Sequence, residues 1–251
     1  MKNKLPISVI ILTHRNDQRF LKALSSAQMA EEVLVVDYQS QNNWPTLAKK
    51  YQFNLVKRTK IIENFASERN SALAKAKHDW VLFLDSDEEI VESSWTEIAQ
   101  AINNPDIDGF FVKRIDIFYG QALKFGETGD SKFLRLIRKD KAKYLRPVHE
   151  KAIVTGNTQD SQIFLNHYSH TNISEFINDI THYSALEAEY QNDDLLKPLI
   201  LGLKTIAYPK AKFFNNYILK LGFLDGWRGL VYATIMSLHS LMVRVFSYEN
   251  R

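Results

Sequence analysis

Cysteine is absent from the 251 residues, which excludes disulfides, thiolate metal sites and a cysteine nucleophile and fits a reducing compartment. No apolar run of signal-peptide length opens the chain. Residues 7–12 are too few, and Pro6 interrupts the approach to them, so the segment reads as a buried first strand and the protein is expected in the cytoplasm. There is no internal repeat and no low-complexity segment. What is present is an ordinary globular composition, 45% hydrophobic and 24% charged, in a chain long enough to bury a real core. The formal charge of +3 is unevenly spread: from residue 197 onward there are 8 Lys and Arg against 2 Asp and Glu. A mildly acidic body thus carries a basic, apolar tail, and such asymmetry bears on partners.

Strand-length runs rich in β-branched and aromatic residues lie at 7–12, 33–37, 53–56 and 81–85, with helix formers at helical spacing between them at 20–28, 46–51 and 66–76. That alternation predicts an α/β fold with a mostly parallel sheet flanked by helices. Further strands are expected at 109–118 and 132–138, with Arg135 and Arg138 sharing a face. Past Gly156 the pattern turns helical. Asn172 and Glu175 have the spacing of a capping box. Pro198 and Pro209 are each expected to open or break a helix, and residues 227–246 are apolar almost all round.

In an open parallel sheet, ligands bind beyond the carboxyl ends of the strands. Thr13, Asp37 and the run Asp85-Ser86-Asp87 fall at those ends. A lone carboxylate there is most often a helix cap. Two carboxylates one residue apart after a buried strand repel each other unless a cation sits between them. Mg²⁺ or Mn²⁺, bridging to diphosphate oxygens, would supply that charge. By itself Asp-x-Asp is a weak signal, and its bland reading is a solvated turn.

The stretch Phe65-Ala66-Ser67-Glu68-Arg69-Asn70-Ser71-Ala72-Leu73, followed by Asp79-Trp80-Val81-Leu82-Phe83-Leu84-Asp85-Ser86-Asp87-Glu88, resembles the donor-site core of inverting family 2 glycosyltransferases. The likeness is greatest to bacterial lipopolysaccharide-core and related enzymes. Residues 7–17 are similar to that family's opening strand and Thr-x-x-Asn-Glu segment, with Asp17 in the Glu place. Arg135-Leu136-Ile137-Arg138, Pro147-Val148-His149-Glu150 and Gly222-Phe223-Leu224-Asp225-Gly226 resemble later motifs. The matches run through nearly the whole chain in order. One departure follows Asp37, where Tyr38-Gln39-Ser40-Gln41-Asn42 replaces a Ser-Gly-Ser-Thr-Asp run.

The resemblance implies a GT-A fold over residues 1–170, with nucleotide-sugar and acceptor halves, and a C-terminal helical region at 171–251. It implies a divalent metal, Mg²⁺ or Mn²⁺, ligated by Asp87 and by Asp85 directly or through water. His167 is a further candidate ligand and His170 its competitor. Thr13, Asp17, Asp37, Arg69 and Asp85 would bind the nucleotide-diphosphate sugar, and Glu150 would be the general base. The implied reaction is inverting transfer to a saccharide or lipid-linked saccharide acceptor in cell-envelope glycan synthesis. An alternative is a non-catalytic membrane-surface module retaining the fold. A nucleotidyltransferase would need a Gly-rich loop after Leu12, and none is there. No nucleic-acid partner is expected, because the tail's basic residues have aliphatic neighbours. The tail itself suits an anionic membrane surface, which would make the protein peripheral on the cytoplasmic face of the inner membrane. Its rival roles are packing on the body or a homodimer contact.

Overall fold

The computed structural model describes residues 3–59, 64–146, 151–190 and 198–249. The chain forms two compact units: Met1–Arg114 with Lys132–His167, and Ile115–Ser131 with Tyr168–Arg251.

In chain order the elements are β1 (Leu5–Thr13), α1 (Gln18–Ser26), β2 (Ala30–Tyr38), α2 (Trp44–Lys50), β3 (Asn54–Arg58), α3 (Phe65–Lys75), β4 (Trp80–Asp85), β5 (Glu88–Ile90) and α4 (Ser94–Ala101). There follow β6 (Gly109–Phe118), β7 (Gln121–Ala122), β8 (Lys132–Arg138), β9 (Ala142–Leu145), β10 (Lys151–Val154), β11 (Thr158–His167), α5 (Ile173–Tyr190), α6 (Pro198–Phe214) and α7 (Gly226–Phe246). The sheet runs β3-β2-β1-β4-β8-β6-β11-β5. Its first four strands are parallel, whereas β8 is antiparallel to β4 and β6, and β5 is antiparallel to β11. This is the expected α/β architecture.

Strand alternation sorts the core into two layers. Ile7, Val9, Ile11, Val33 and Val35 pack with Phe20, Leu24, Trp95 and Ile98. Ile10, Leu12, Leu34 and Val36 pack with Ala66, Ala72 and Leu73 on the other face. With both faces covered, β1 and β2 read as continuous apolar runs, as buried parallel strands do. The helices begin slightly earlier than periodicity suggests because caps fix their starts: Asn43 accepts from Thr46 N ahead of α2, and Asn64 accepts from Ser67 N ahead of α3.

Two expectations need correcting. Arg135 and Arg138 are an odd number of residues apart, so the pleat sends them to opposite sides. Arg135 reaches Asp85, while Arg138 pairs with Asp108 and lies over Trp80. Pro209 neither opens nor breaks a helix. It lies inside α6, and its carbonyl accepts a 2.6 Å bond from the Ser237 hydroxyl.

The second unit is built on α5, α6 and α7 around Phe118, Leu123, Phe176, Ile180 and Ile235. The capping box before α5 is displaced by one residue. Glu175 N donates to Asn172, but the Glu175 carboxylate returns to Thr171 N, at 2.6 Å.

Candidate active site

The sheet register sets the carboxyl ends of three strands flush. Thr13 lies opposite Asp37, and Leu12 lies opposite Asp85. Thr13 Oγ1 accepts from Arg15 N at 3.0 Å, turning the chain out of β1. Asp37 is buried, and both its oxygens close its own loop. One accepts from Ser40 N and Oγ, the other from the Trp44 indole at 3.2 Å. Gln39, in the place of the family's glycine, has a φ of 59°, in the left-handed region that suits glycine best. A cavity of about 490 Å³ lined by Asp37, Ser40, Lys57 and Arg58 opens at this edge.

Asp17 caps α1, accepting from Arg19 N and Phe20 N. Burial pushes its carboxyl up, yet the hydrogen bond and charge of Arg19 prevail and hold it below the usual range. Asp17→Ala is therefore expected to cost about 1 kcal/mol of stability, the worth of a cap. Denaturant unfolding measures that loss. A fall in donor affinity with stability unchanged would instead assign Asp17 to the ligand.

The acidic run resolves into two sub-clusters. Asp85 receives Arg69 on one oxygen at 2.7 Å and Arg135 on the other at 2.5 Å. Burial alone would raise its pKa, but Arg135 and Arg69 reverse the balance and keep it ionised. Glu88 is buried beneath it, accepting from Asp85 N at 2.9 Å and lying 3.5 Å from Arg135. For Glu88 burial prevails over Arg135 and, with the charge of Asp85, raises the pKa. Asp87 belongs to the second sub-cluster. Its Oδ2 accepts from Arg15 at 3.2 Å, and its Oδ1 lies 3.8 Å from His167 Nε2. The pairing of β5 with β11 sets His167 opposite Glu88 and so beside the turn. The competitor, His170, stacks on Phe176 and pairs with Asp179 in the second unit.

Each member of Glu68-Arg69-Asn70 has a separate task. Glu68 accepts from the Tyr38 hydroxyl at 2.6 Å and from Arg58 at 3.2 Å. Arg69 holds Asp85. Asn70 mimics a strand neighbour, exchanging bonds of 2.9 and 2.8 Å with the backbone of Tyr144 in β9. Arg69, Arg135, Tyr144 and Lys151 line a cavity of about 570 Å³. Glu150 precedes Lys151 in the chain, and it and His149 lie outside the described residues.

Sequence reasoning overlooked Arg15, Glu88 and Asn70 as site-builders. Asn70 carried a signal: it shares a helical stripe with Ala66 and Leu73, a polar group facing the core. Arg15 and Glu88 carried none, because a loop arginine and one acid among several look alike before folding.

This geometry sits in a chain whose residues 8–176 match the profile described as Glycosyl transferase family 2. The chain belongs to that family and is a glycosyltransferase by class. It is 24% identical over 244 residues to the lipopolysaccharide core biosynthesis glycosyltransferase LpsC of Rhizobium meliloti, covering 92% of this chain and 90% of LpsC. It is 28% identical over 146 residues to a TPR repeat-containing protein of Synechococcus elongatus, covering 57% of this chain but 34% of that longer protein. The crystal structure of S. aureus TarS superposes with a TM-score of 0.50 at 15% identity, over 98% of this chain and 55% of TarS, a likeness of fold.

Proposed function

We propose that the protein is a metal-dependent, inverting glycosyltransferase that moves a sugar from a nucleotide-diphosphate donor to a saccharide or lipid-linked saccharide acceptor in cell-envelope glycan synthesis. The observation that carries this reading is the convergence of Asp87, His167 and Arg15 beside an ionised Asp85 at the carboxyl end of β4. The likeness to LpsC supports the envelope assignment.

Among the described residues no three His, Asp or Glu side chains form a ready-made metal cage. That suits Mg²⁺ or Mn²⁺ held by one or two protein groups together with substrate phosphates. Asp87 and His167 would hold the ion: the carboxylate suits either metal, and the imidazole suits Mn²⁺ better than the harder Mg²⁺. Asp85 already serves two arginines, so its place is in fixing Arg69 and Arg135 beside the donor. When bound, the divalent ion supplies positive charge to the departing diphosphate.

The chain's own residues complete the reaction. Glu150 takes the proton of the acceptor hydroxyl as that oxygen bonds to the anomeric carbon. The bond from that carbon to the diphosphate oxygen breaks on the opposite face, so configuration inverts. Lys197 onward holds the enzyme on the cytoplasmic face of the membrane, near a lipid-linked acceptor.

Asp87→Ala tests the site. A donor at about 100 times its Kd stabilises a folded protein by about 2.7 kcal/mol. A thermal-shift screen of nucleotide sugars with Mn²⁺ is expected to find one such donor, and in Asp87→Ala the Mn²⁺-dependent part of that shift is expected to vanish. An unchanged metal dependence would remove Asp87 from the site.

A further inference from the structure

The Gly222-Phe223-Leu224-Asp225-Gly226 run takes no part in the chemistry above. It forms the turn between α6 and α7, a π turn Asn215–Leu219 followed by a 3-10 turn Gly222–Asp225. The turn is locked. Leu221 sits at φ 57°, a left-handed conformation that a branched side chain disfavours. A Cβ on Gly229 would fall 1.9 Å from Gly222 O, and one on Gly222 would fall 2.5 Å from Asn216 O, so no larger residue fits at either position. The buried Asp225 carboxylate accepts from Lys124 N and Phe125 N at 3.0–3.1 Å, and Gly126 N donates to Lys220 O.

What this rigid turn presents is apolar. Leu219, Leu221, Phe223, Leu224, Trp227 and Leu230 are each 42–64% exposed. Scattered exposed leucines are ordinary, but six large apolar side chains on one turn and the helix start beside it mark an interaction surface. Lys220, exposed, and Arg228, half-buried and donating to Tyr119 O at 3.2 Å, are interleaved with them.

We propose that this turn is a membrane-docking prow whose apolar side chains enter the interfacial layer of an anionic leaflet while Lys220 and Arg228 meet its headgroups. The proposal deepens, and rests on, the peripheral location given above. A second copy of the chain is the less suitable occupant, because a two-fold interface sets the patch against itself, and residues 219–230 offer Lys220 and Arg228 no acidic partner except the buried Asp225. Anionic lipid offers the opposite charge. Residues Gly222–Phe246 are long and apolar enough to cross a bilayer. However, Ala233, Ile235 and Val243 of α7 are buried within the second unit. Crossing would expose that packing, whereas docking by the turn leaves it intact.

Trp227 supplies the probe. Of the 4 tryptophans, Trp44, Trp80 and Trp95 are at most 8% exposed and Trp227 is 49% exposed. Full-length protein is mixed at low salt with vesicles of equal parts phosphatidylglycerol and brominated phosphatidylcholine. The protein is expected to sediment with them and to lose part of its fluorescence, and the quenching is expected to disappear in Trp227→Phe. The double variant Phe223→Ser, Leu224→Ser is expected to bind about 10-fold more weakly or worse, and Lys220→Glu about 5-fold. Circular dichroism and the donor-induced thermal shift should be unchanged in these exposed-site variants. Failure of wild type to sediment, or quenching that persists without Trp227, overturns the proposal. So does a dimer by light scattering that the double variant dissociates while vesicles are ignored. None of these outcomes touches donor binding, and loss of donor binding in Asp87→Ala should leave sedimentation intact, so the two readings fail separately.

Discussion

Glu150→Gln is expected to slow transfer about 10²–10⁴-fold while leaving the affinity for donor unchanged. The amide matches the carboxylate in size and still accepts a hydrogen bond, so an acceptor hydroxyl can dock, but it cannot take the proton away. The loss should therefore fall in kcat and leave the donor-induced thermal shift in place. A loss confined to KM would describe a binding group instead. Near-normal turnover would send the search to another carboxylate. The assignment comes from the Val148-His149-Glu150 motif.

Asp85→Ala should produce the largest loss of stability. Arg69 and Arg135 are 5% and 8% exposed, and the substitution leaves both without the carboxylate they share. Removing one partner of a buried ion pair costs about 3–5 kcal/mol. Glu88 remains 3.5 Å from Arg135 and the Asp85 side chain is 32% exposed, which favours the lower figure. About 3 kcal/mol corresponds to a fall in Tm of about 6–12 °C for a domain of this size. Adding Arg135→Met should recover part of the loss, since one stranded charge goes with it. A Tm equal to wild type in Asp85→Ala would show that the arginines find their counter-charge elsewhere. The experiment also separates Asp85 from Asp87, whose loss should affect metal-dependent binding far more than folding.

The parallel half of the sheet was legible because buried parallel strands are continuous apolar runs, and 7–12, 33–37 and 81–85 are three of them. The candidate site was legible in part: Asp87 and His167 stood at strand ends, where polar groups signal ligands. What could not be read was how the acidic run divides. Asp85 and Asp87 look equivalent along the chain, but Asp85 ends β4 and meets Arg69 and Arg135, whereas Asp87 lies in the turn that follows and meets Arg15 and His167. Short elements were also hidden. β5 has three residues and its pairing with β11 decides where His167 lies, yet three residues carry no periodicity. Pro209 misled because α6 runs through it despite the N–H it lacks, in a unit where the Ser237 hydroxyl also donates to its carbonyl.

That pairing of β5 with β11 has a consequence during synthesis. Asn166 and Glu89, which meet across it, are 77 residues apart in the chain. At about 5–20 residues per second, the ribosome reaches one about 4–15 s after the other. Strands β1 to β4 can pair with one another in the meantime, while β4 waits for its other neighbour, β8. The acidic turn cannot gain His167 until β11 is made, so the Asp87–His167 contact waits for the last strand of the first unit. A nascent chain stalled before β11 would thus carry the paired strands β1 to β4 with the Asp87 turn still lacking His167.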